Sequence, residues 1–245
     1  MNKRIAIVTG AGTGIGRATA CRLAKDGITV VLVYASSKAG AEQTLAMIEA
    51  ESGEAHLYQA DISNEQDVEG LFKYVLGSFK QLDIVVNNAG IGSMGMMADI
   101  TTAEYERVFN VNCRGCFFMC RAAAKTISDH GRIINISTGI TVSAQAGMGL
   151  YVASKSAVEG FTKALAHELG PRGITVNAVS PGMTNTAMLE GGDSALLKKI
   201  GAKNSVMQRL GEACDVADVI AMLISADGRW ISGQNIHADG GSVIL

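Results

Sequence analysis

Thr9-Gly10-Ala11-Gly12-Thr13-Gly14-Ile15-Gly16 stands between an apolar run, Arg4 to Thr9, and an amphipathic one, Arg17 to Lys25. Glycine carries no Cβ, so the backbone can turn tightly at the end of a strand and let a ligand approach closely. The helix that follows presents free N–H groups and the positive end of its dipole to whatever the turn holds, and this favours a pyrophosphate. The spacing is not G-x-G-x-x-G, whose third glycine would fall on Ile15; it is T-G-x-x-x-G-x-G. Strand, glycine turn and helix in this order open a βαβ unit and point to a dinucleotide-binding α/β fold.

Outward from that turn, short β-branched runs alternate with longer helical segments almost from end to end. Strands are predicted at Arg4 to Thr9, Thr29 to Tyr34, Ala55 to Ala60, Asp83 to Asn87, Gly131 to Ser137, Thr175 to Ser180 and Asn235 to Ala238. Helices are predicted at Tyr105 to Ile127, at Val152 to Glu168 and from near Asp215. The expected architecture is a single Rossmann-type doubly wound domain over residues 1–245, with a seven-stranded parallel sheet and helices on both faces. Only the stretch from Gly182 to about Gln208 breaks the rhythm, and residues 183–208 are expected to form a substrate lid.

Of the 245 residues, 48% are apolar and 18% charged, which is ample for a core on both faces of a sheet. A net charge of −2 lacks the basic stripe that phosphate backbones demand, so nucleic acid is not an expected partner. Lys3 and Arg4 precede only a short apolar run, and no stretch nears the roughly 20 apolar residues of a membrane helix. A soluble, cytoplasmic protein without membrane association is expected, with its five cysteines reduced. Cys113, Cys116 and Cys120 recur at i, i+3, i+7 with no fourth ligand nearby, and read as a small apolar stripe on a helix. His56, His130, His167 and His237 are scattered and show no H-E-x-x-H spacing, so no metal is expected.

Tyr151-Val152-Ala153-Ser154-Lys155 sets a phenol and an ammonium four residues apart, on one face of a helix. A tyrosine with a pKa of about 10 exchanges protons poorly near neutrality, and a neighbouring positive charge favours its phenolate. The pair suits proton exchange with a carbonyl or alcohol oxygen. The second predicted strand ends Tyr34-Ala35-Ser36-Ser37-Lys38, with no Asp or Glu between Asp26 and Glu42. An acid there would accept the ribose hydroxyls of NAD and repel the 2'-phosphate of NADP. Two serine hydroxyls and an ammonium can instead hold that phosphate, so NADP(H) is the expected cofactor.

The glycine turn, Asn87-Asn88-Ala89-Gly90, the Tyr151 and Lys155 pair, Pro181-Gly182 and the ending Asp239-Gly240-Gly241 occur in the order of short-chain dehydrogenase/reductase motifs. The chain resembles that family over nearly its whole length, and is similar to 3-oxoacyl carrier-protein reductases and related NADPH-dependent carbonyl reductases. The resemblance implies hydride transfer between a nicotinamide and a carbonyl or alcohol carbon. Its catalytic residues would be Asn112, Thr138, Tyr151 and Lys155. Tyr151 would act as acid or base, Lys155 would tune it, and Asn112 would hold a water of the proton relay. The family's serine, thirteen places before the tyrosine, is here Thr138. Ser137 is the other candidate donor, although strand alternation turns it to the opposite face.

Cofactor contacts implied in the same way are Gly10, Gly12, Thr13, Gly14, Ile15 and Gly16, then Tyr34, Ala35, Ser36 and Ser37. Asp61 and Ile62 follow the third strand, and Asn88, Ala89 and Gly90 follow the fourth. Tyr151 and Lys155 also face the cofactor, as do Pro181, Gly182, Thr184 and Thr186. Met94, Met96 and Met97, with Met183, Met188 and Leu189, can form an adaptable apolar wall around a ketone, aldehyde or 3-oxoacyl thioester. Two other functions are open to such a chain: an NAD-linked alcohol or polyol dehydrogenase, and a noncatalytic dinucleotide sensor. The sensor would have no use for the tyrosine and lysine pair. Relatives of this size pair their long helices as homotetramers, which is the expected assembly here.

Overall fold

The computed structural model describes residues 3–189 and 194–244. Strands β1 (Ile5–Thr9), β2 (Thr29–Tyr34), β3 (Ala55–Gln59), β4 (Ile84–Asn87), β5 (Arg132–Ile136), β6 (Thr175–Pro181) and β7 (Asn235–Ala238) form one sheet. All pairings are parallel, in the order β3-β2-β1-β4-β5-β6-β7. The strands fall where the sequence predicts them, with ends displaced by a residue.

The central strands carry apolar residues on both faces rather than on alternate positions, because helices cover the sheet on both sides. Ile5, Ile7, Val31, Val85 and Ile133 face one layer. There they meet Leu71 and Phe72 of α3 (Glu65–Phe79), Met119 of α5 (Cys116–Thr126), and Val158 and Leu165 of α6 (Gly149–Leu169). Ala6, Val8, Leu32, Ile84 and Ile134 face the other layer. Their partners are Leu23 of α1 (Gly14–Lys25), Ile48 of α2 (Lys38–Ala50), and Val216 and Ile220 of α8 (Ala213–Ile224). Strand order reverses between β1 and β4, and the crevice beyond their carboxyl ends is the natural ligand position in such a sheet.

The helix predicted over Tyr105 to Ile127 is not uniform. It is α4 (Thr102–Phe109), a π-helical turn at Asn110–Gly115, and then α5. Two contacts account for the widened turn. The Asn112 carboxamide pairs with the backbone of Ile91, accepting from its N–H at 2.8 Å and donating to its carbonyl at 2.9 Å. Gly115 lies against Ile62, where a Cβ would come within 2.7 Å of Cγ1. The cysteine stripe is interrupted by the same turn: Cys116 and Cys120 are buried with sulfurs 4.0 Å apart, while Cys113 is half-buried. In the 182–208 stretch lies α7 (Ser194–Asn204). No helix among the described residues is long and apolar enough to cross a membrane.

Polar groups also cross the core. Asn87 Nδ2 donates to Asn135 Oδ1 at 2.8 Å, and Asn135 Nδ2 donates to Thr162 Oγ1 at 2.9 Å. Asn87 and Asn135 are register partners, so this chain of bonds fixes β4, β5 and α6 relative to one another. Replacing Asn135 with Ala takes from Asn87 Nδ2 its shortest bond, leaving Cys120 Sγ at 3.5 Å, and from Thr162 Oγ1 its donor, leaving only the bond to Val158 O. Urea unfolding should then report a loss of roughly 1–3 kcal/mol; a loss too small to measure would mean that the network does not hold these elements.

Candidate active site

The glycine turn is held from below by β4. Thr9 is fully buried, and its hydroxyl accepts from the backbone N–H groups of Asn88 and Ala89, both at 3.0 Å. Asn88 Nδ2 returns a bond to Thr9 O at 2.9 Å. α1 crosses directly over the turn: a Cβ on Gly16 would stand 2.2 Å from Gly10 O and 2.5 Å from Asn88 Nδ2, so only glycine fits. Thr13 precedes α1 with no side-chain cap bond, is exposed, and no acid lies in the first helical turn. The helix end is therefore open to an anion. From the far side comes Thr186, whose methyl would be 3.1 Å from a Cβ on Gly14. Thr184, buried, donates to Gly182 O at 3.0 Å and shapes that approach.

At the end of β2, Ala35, Ser36, Ser37 and Lys38 are exposed while Tyr34 is buried. Arg17 joins this loop to the glycine turn, its guanidinium donating to Gly12 O at 2.5 Å, to Gly40 O at 3.2 Å and to Thr44 Oγ1 at 3.1 Å. Asp61 is exposed beyond β3, with its carboxylate accepting from Ser63. Ile62 is buried. An open helix N-terminus at the glycine turn and exposed hydroxyls with an ammonium at the β2 loop are donors of the kind that an anionic dinucleotide requires.

Tyr151 and Lys155 lie on the first two turns of α6, and Thr138 follows β5 in extended conformation. Lys155 is buried and donates to Ile136 O at 2.7 Å. A Cβ on Gly90 would lie 3.1 Å from Lys155 Nζ and 3.2 Å from Asn112 Oδ1, so the ends of β4, the π turn and α6 converge on one point. Asn112 also donates to Ser154 Oγ at 3.1 Å, and Ser154 donates to Tyr151 O at 2.8 Å. Ser137 is committed elsewhere, donating to Glu159 Oε1 at 2.6 Å. The hydroxyl beside Tyr151 belongs to Thr138.

Desolvation pulls the Lys155 ammonium down to about 8. Burial pushes the Tyr151 phenol above its ordinary value, against which a hydrogen bond with Thr138 works. In the free chain burial is the larger of these two effects. A protonated phenol is the form that gives a proton away. The Cys116 thiol is pushed well above its ordinary value by Cys120 and by burial, so it stays neutral near the lysine.

In the sequence Thr9 has a place at the head of the glycine motif but no role, and Arg17 and Ser154 have none, because each acts through a partner distant in the chain. Asp61 is not drawn into the cluster around Tyr151, and Ile62 reaches it only by packing under the π turn through Gly115.

Residues 10–242 match a family model described as Enoyl-(Acyl carrier protein) reductase. A short-chain type dehydrogenase/reductase of Picea abies is 39% identical over 250 residues, covering 98% of this chain and 92% of that protein. A short chain dehydrogenase from Burkholderia cenocepacia, solved in complex with NADP, is similar with a TM-score of 0.91 at 39% identity, over 99% of this chain and 98% of that one. An angucycline C-6 ketoreductase solved with bound NADP gives a TM-score of 0.92 at 35% identity, over 98% and 95% of the two chains.

The depressed lysine has a measurable signature. From about pH 8 to 10.5 the unfolded chain holds more protons on Lys155 than the folded chain does, so this group makes stability rise with pH across that window. The burial cost that is relieved is roughly 3 kcal/mol. Lys155→Met removes it, so the variant should be at least as stable as the wild type at pH 7, and the difference should shrink by pH 10. Parallel stability curves for the two proteins would show that the lysine is not depressed.

Proposed function

The chain belongs to the short-chain dehydrogenase/reductase family, and from that premise we propose that it is an NADPH-dependent reductase of a ketone carried on an apolar framework. The observation that carries this reading is the convergence of Thr138, Tyr151, Lys155 and Asn112 beside a glycine turn built for a pyrophosphate. When bound, the nicotinamide supplies a hydride to the carbonyl carbon. The protein does the rest. Thr138 donates a hydrogen bond to the carbonyl oxygen, and Tyr151 gives that oxygen its proton. Lys155 and Asn112, which meet at Gly90, return a proton to Tyr151 from solvent.

NADP(H) is favoured over NAD(H) by what surrounds the end of β2. Ser36 and Ser37 are exposed there with Lys38, whose ammonium lies 3.7 Å from Glu42; no acid occurs between Asp26 and Glu42, and the Arg17 guanidinium lies against the same loop. The NADP bound in both solved relatives supports the same choice. Gly10, Gly12, Gly14, Ile15 and Gly16 cradle the pyrophosphate; Asn88, Ala89 and Gly90 line its inner side; Pro181, Gly182, Thr184 and Thr186 face the nicotinamide.

Residues 183–208, of which 190–193 lie outside the described residues, would act as a lid within one catalytic domain. Met94, Met96, Met97 and Met188 are exposed, and Met97 reaches within 2.6 Å of where a Cβ on Gly149 would be, two residues before Tyr151. These soft side chains suit an apolar ketone of variable shape. In the assembly, α4, α5 and α6 would pair in a homotetramer.

Following NADPH absorbance with aliphatic, aromatic and thioester ketones tests the reading, and turnover seen only for alcohols with NAD would sink it. Tyr151→Phe should lower kcat at least ~100-fold while leaving NADPH affinity nearly intact. Ser36→Asp should move the ratio of NADPH to NADH efficiency toward NADH by ~10-fold or more, since a carboxylate repels the 2'-phosphate. An unchanged ratio would remove Ser36 from the phosphate site.

A further inference from the structure

Three consecutive residues where β5 ends, Ile136, Ser137 and Thr138, are each held by a different turn of α6. Tyr151, Lys155 and Glu159 recur at i, i+4 and i+8, which places them one above another on the helix. Lys155 takes Ile136 O at 2.7 Å, and Thr138 meets Tyr151. Glu159 takes what lies on either side of Thr138. Its Oε1 accepts from Ser137 Oγ at 2.6 Å and from Thr141 Oγ1 at 2.8 Å, and Thr141 Oγ1 also lies 2.9 Å from Thr138 O. Among the described residues its hydrogen-bond partners are these two hydroxyls, and it enters no ion pair.

We propose that Glu159 is a positioning residue: by anchoring Ser137 and Thr141 to α6, its carboxylate fixes the turn between them and so holds the Thr138 hydroxyl against Tyr151. The inference rests on Thr138 and Tyr151 being the pair that faces the carbonyl. Local structure supplies the turn with two backbone bonds, Thr141 N to Thr138 O at 3.3 Å and Val142 N to Gly139 O at 3.2 Å, but neither holds the Thr138 side chain. The turn at Gly139–Thr141 starts with a residue that has no side chain, and Thr138 Oγ1 accepts from Ile140 N only at 3.5 Å, the limit of a hydrogen bond. A hydroxyl donating to a carboxylate at 2.6 Å, by contrast, is a short, charge-assisted bond. Displacement of a donor by an ångström is enough to cost a reaction about 100-fold. Glutamine keeps an acceptor oxygen at the same reach, whereas leucine fills the space and offers none.

The test compares the full-length wild type, Glu159→Gln and Glu159→Leu by ketone reduction and by hydrogen–deuterium exchange. In Glu159→Leu, kcat should fall ~10-fold or more with KM for NADPH unchanged, and amide exchange should accelerate over residues 137–142 but not over the glycine turn. Glu159→Gln should recover most of both. The proposal is overturned if Glu159→Leu keeps its kcat and its protection, if protection is lost across the whole molecule, or if Glu159→Gln behaves as Glu159→Leu does. Should the wild type reduce no ketone, the proposed function falls. Exchange then decides the clamp alone: acceleration confined to 137–142 and reversed by Gln sustains it, and unchanged exchange refutes it.

Discussion

Everything in the site hangs from the bonds that tie the end of β4 to the end of β1. One threonine hydroxyl, Thr9, accepts two backbone N–H groups of the Asn88-Ala89 turn, and the Asn88 carboxamide reaches back to Thr9 O. These two strands are where the sheet changes direction, so their ends diverge and leave a crevice. Without the cross-ties the two loops that line it would be independent. With them, the turn that receives a phosphate and the Gly90 corner that receives Lys155 belong to one rigid frame.

That frame carries unusual electrostatic costs. A buried ammonium with a carbonyl for its main partner, and a phenol whose burial opposes ionisation, are both arranged against their own solvation. The apolar layers of the sheet offset the expense, since α6, which presents both groups, packs Val158 and Leu165 into the core. The polar chain Asn87–Asn135–Thr162 runs inside the same layers and contributes register rather than net burial.

Most of the architecture was legible because its signals are local. Continuous β-branched strands, a glycine turn and helical periodicity each declare themselves within a dozen residues, and the parallel sheet follows from their alternation. Tyr151 and Lys155 were legible for the same reason, being one helical turn apart. What escaped depends on partners distant in sequence. Arg17 acts through Gly12, Gly40 and Thr44, and Glu159 through Ser137 and Thr141. The π turn escaped because its cause, the backbone of Ile91, is twenty-one residues away from Asn112. The upward push on the free tyrosine was not legible either, because charge proximity can be read from spacing, whereas desolvation cannot.

The wide turn at Asn110–Gly115 has a consequence for how this helix can vary. One extra residue in a turn advances every later side chain by about 100° around the axis. α4 and α5 therefore run out of phase with each other, each matched to its own neighbours, and Asn112 sits at the seam. Side chains along either helix can be exchanged one at a time, but the seam has no intermediate setting. Losing a residue there would turn all of α5 and unseat Cys116, Met119 and Cys120 from the core together, so the asparagine's position is tied to the packing of the whole helix.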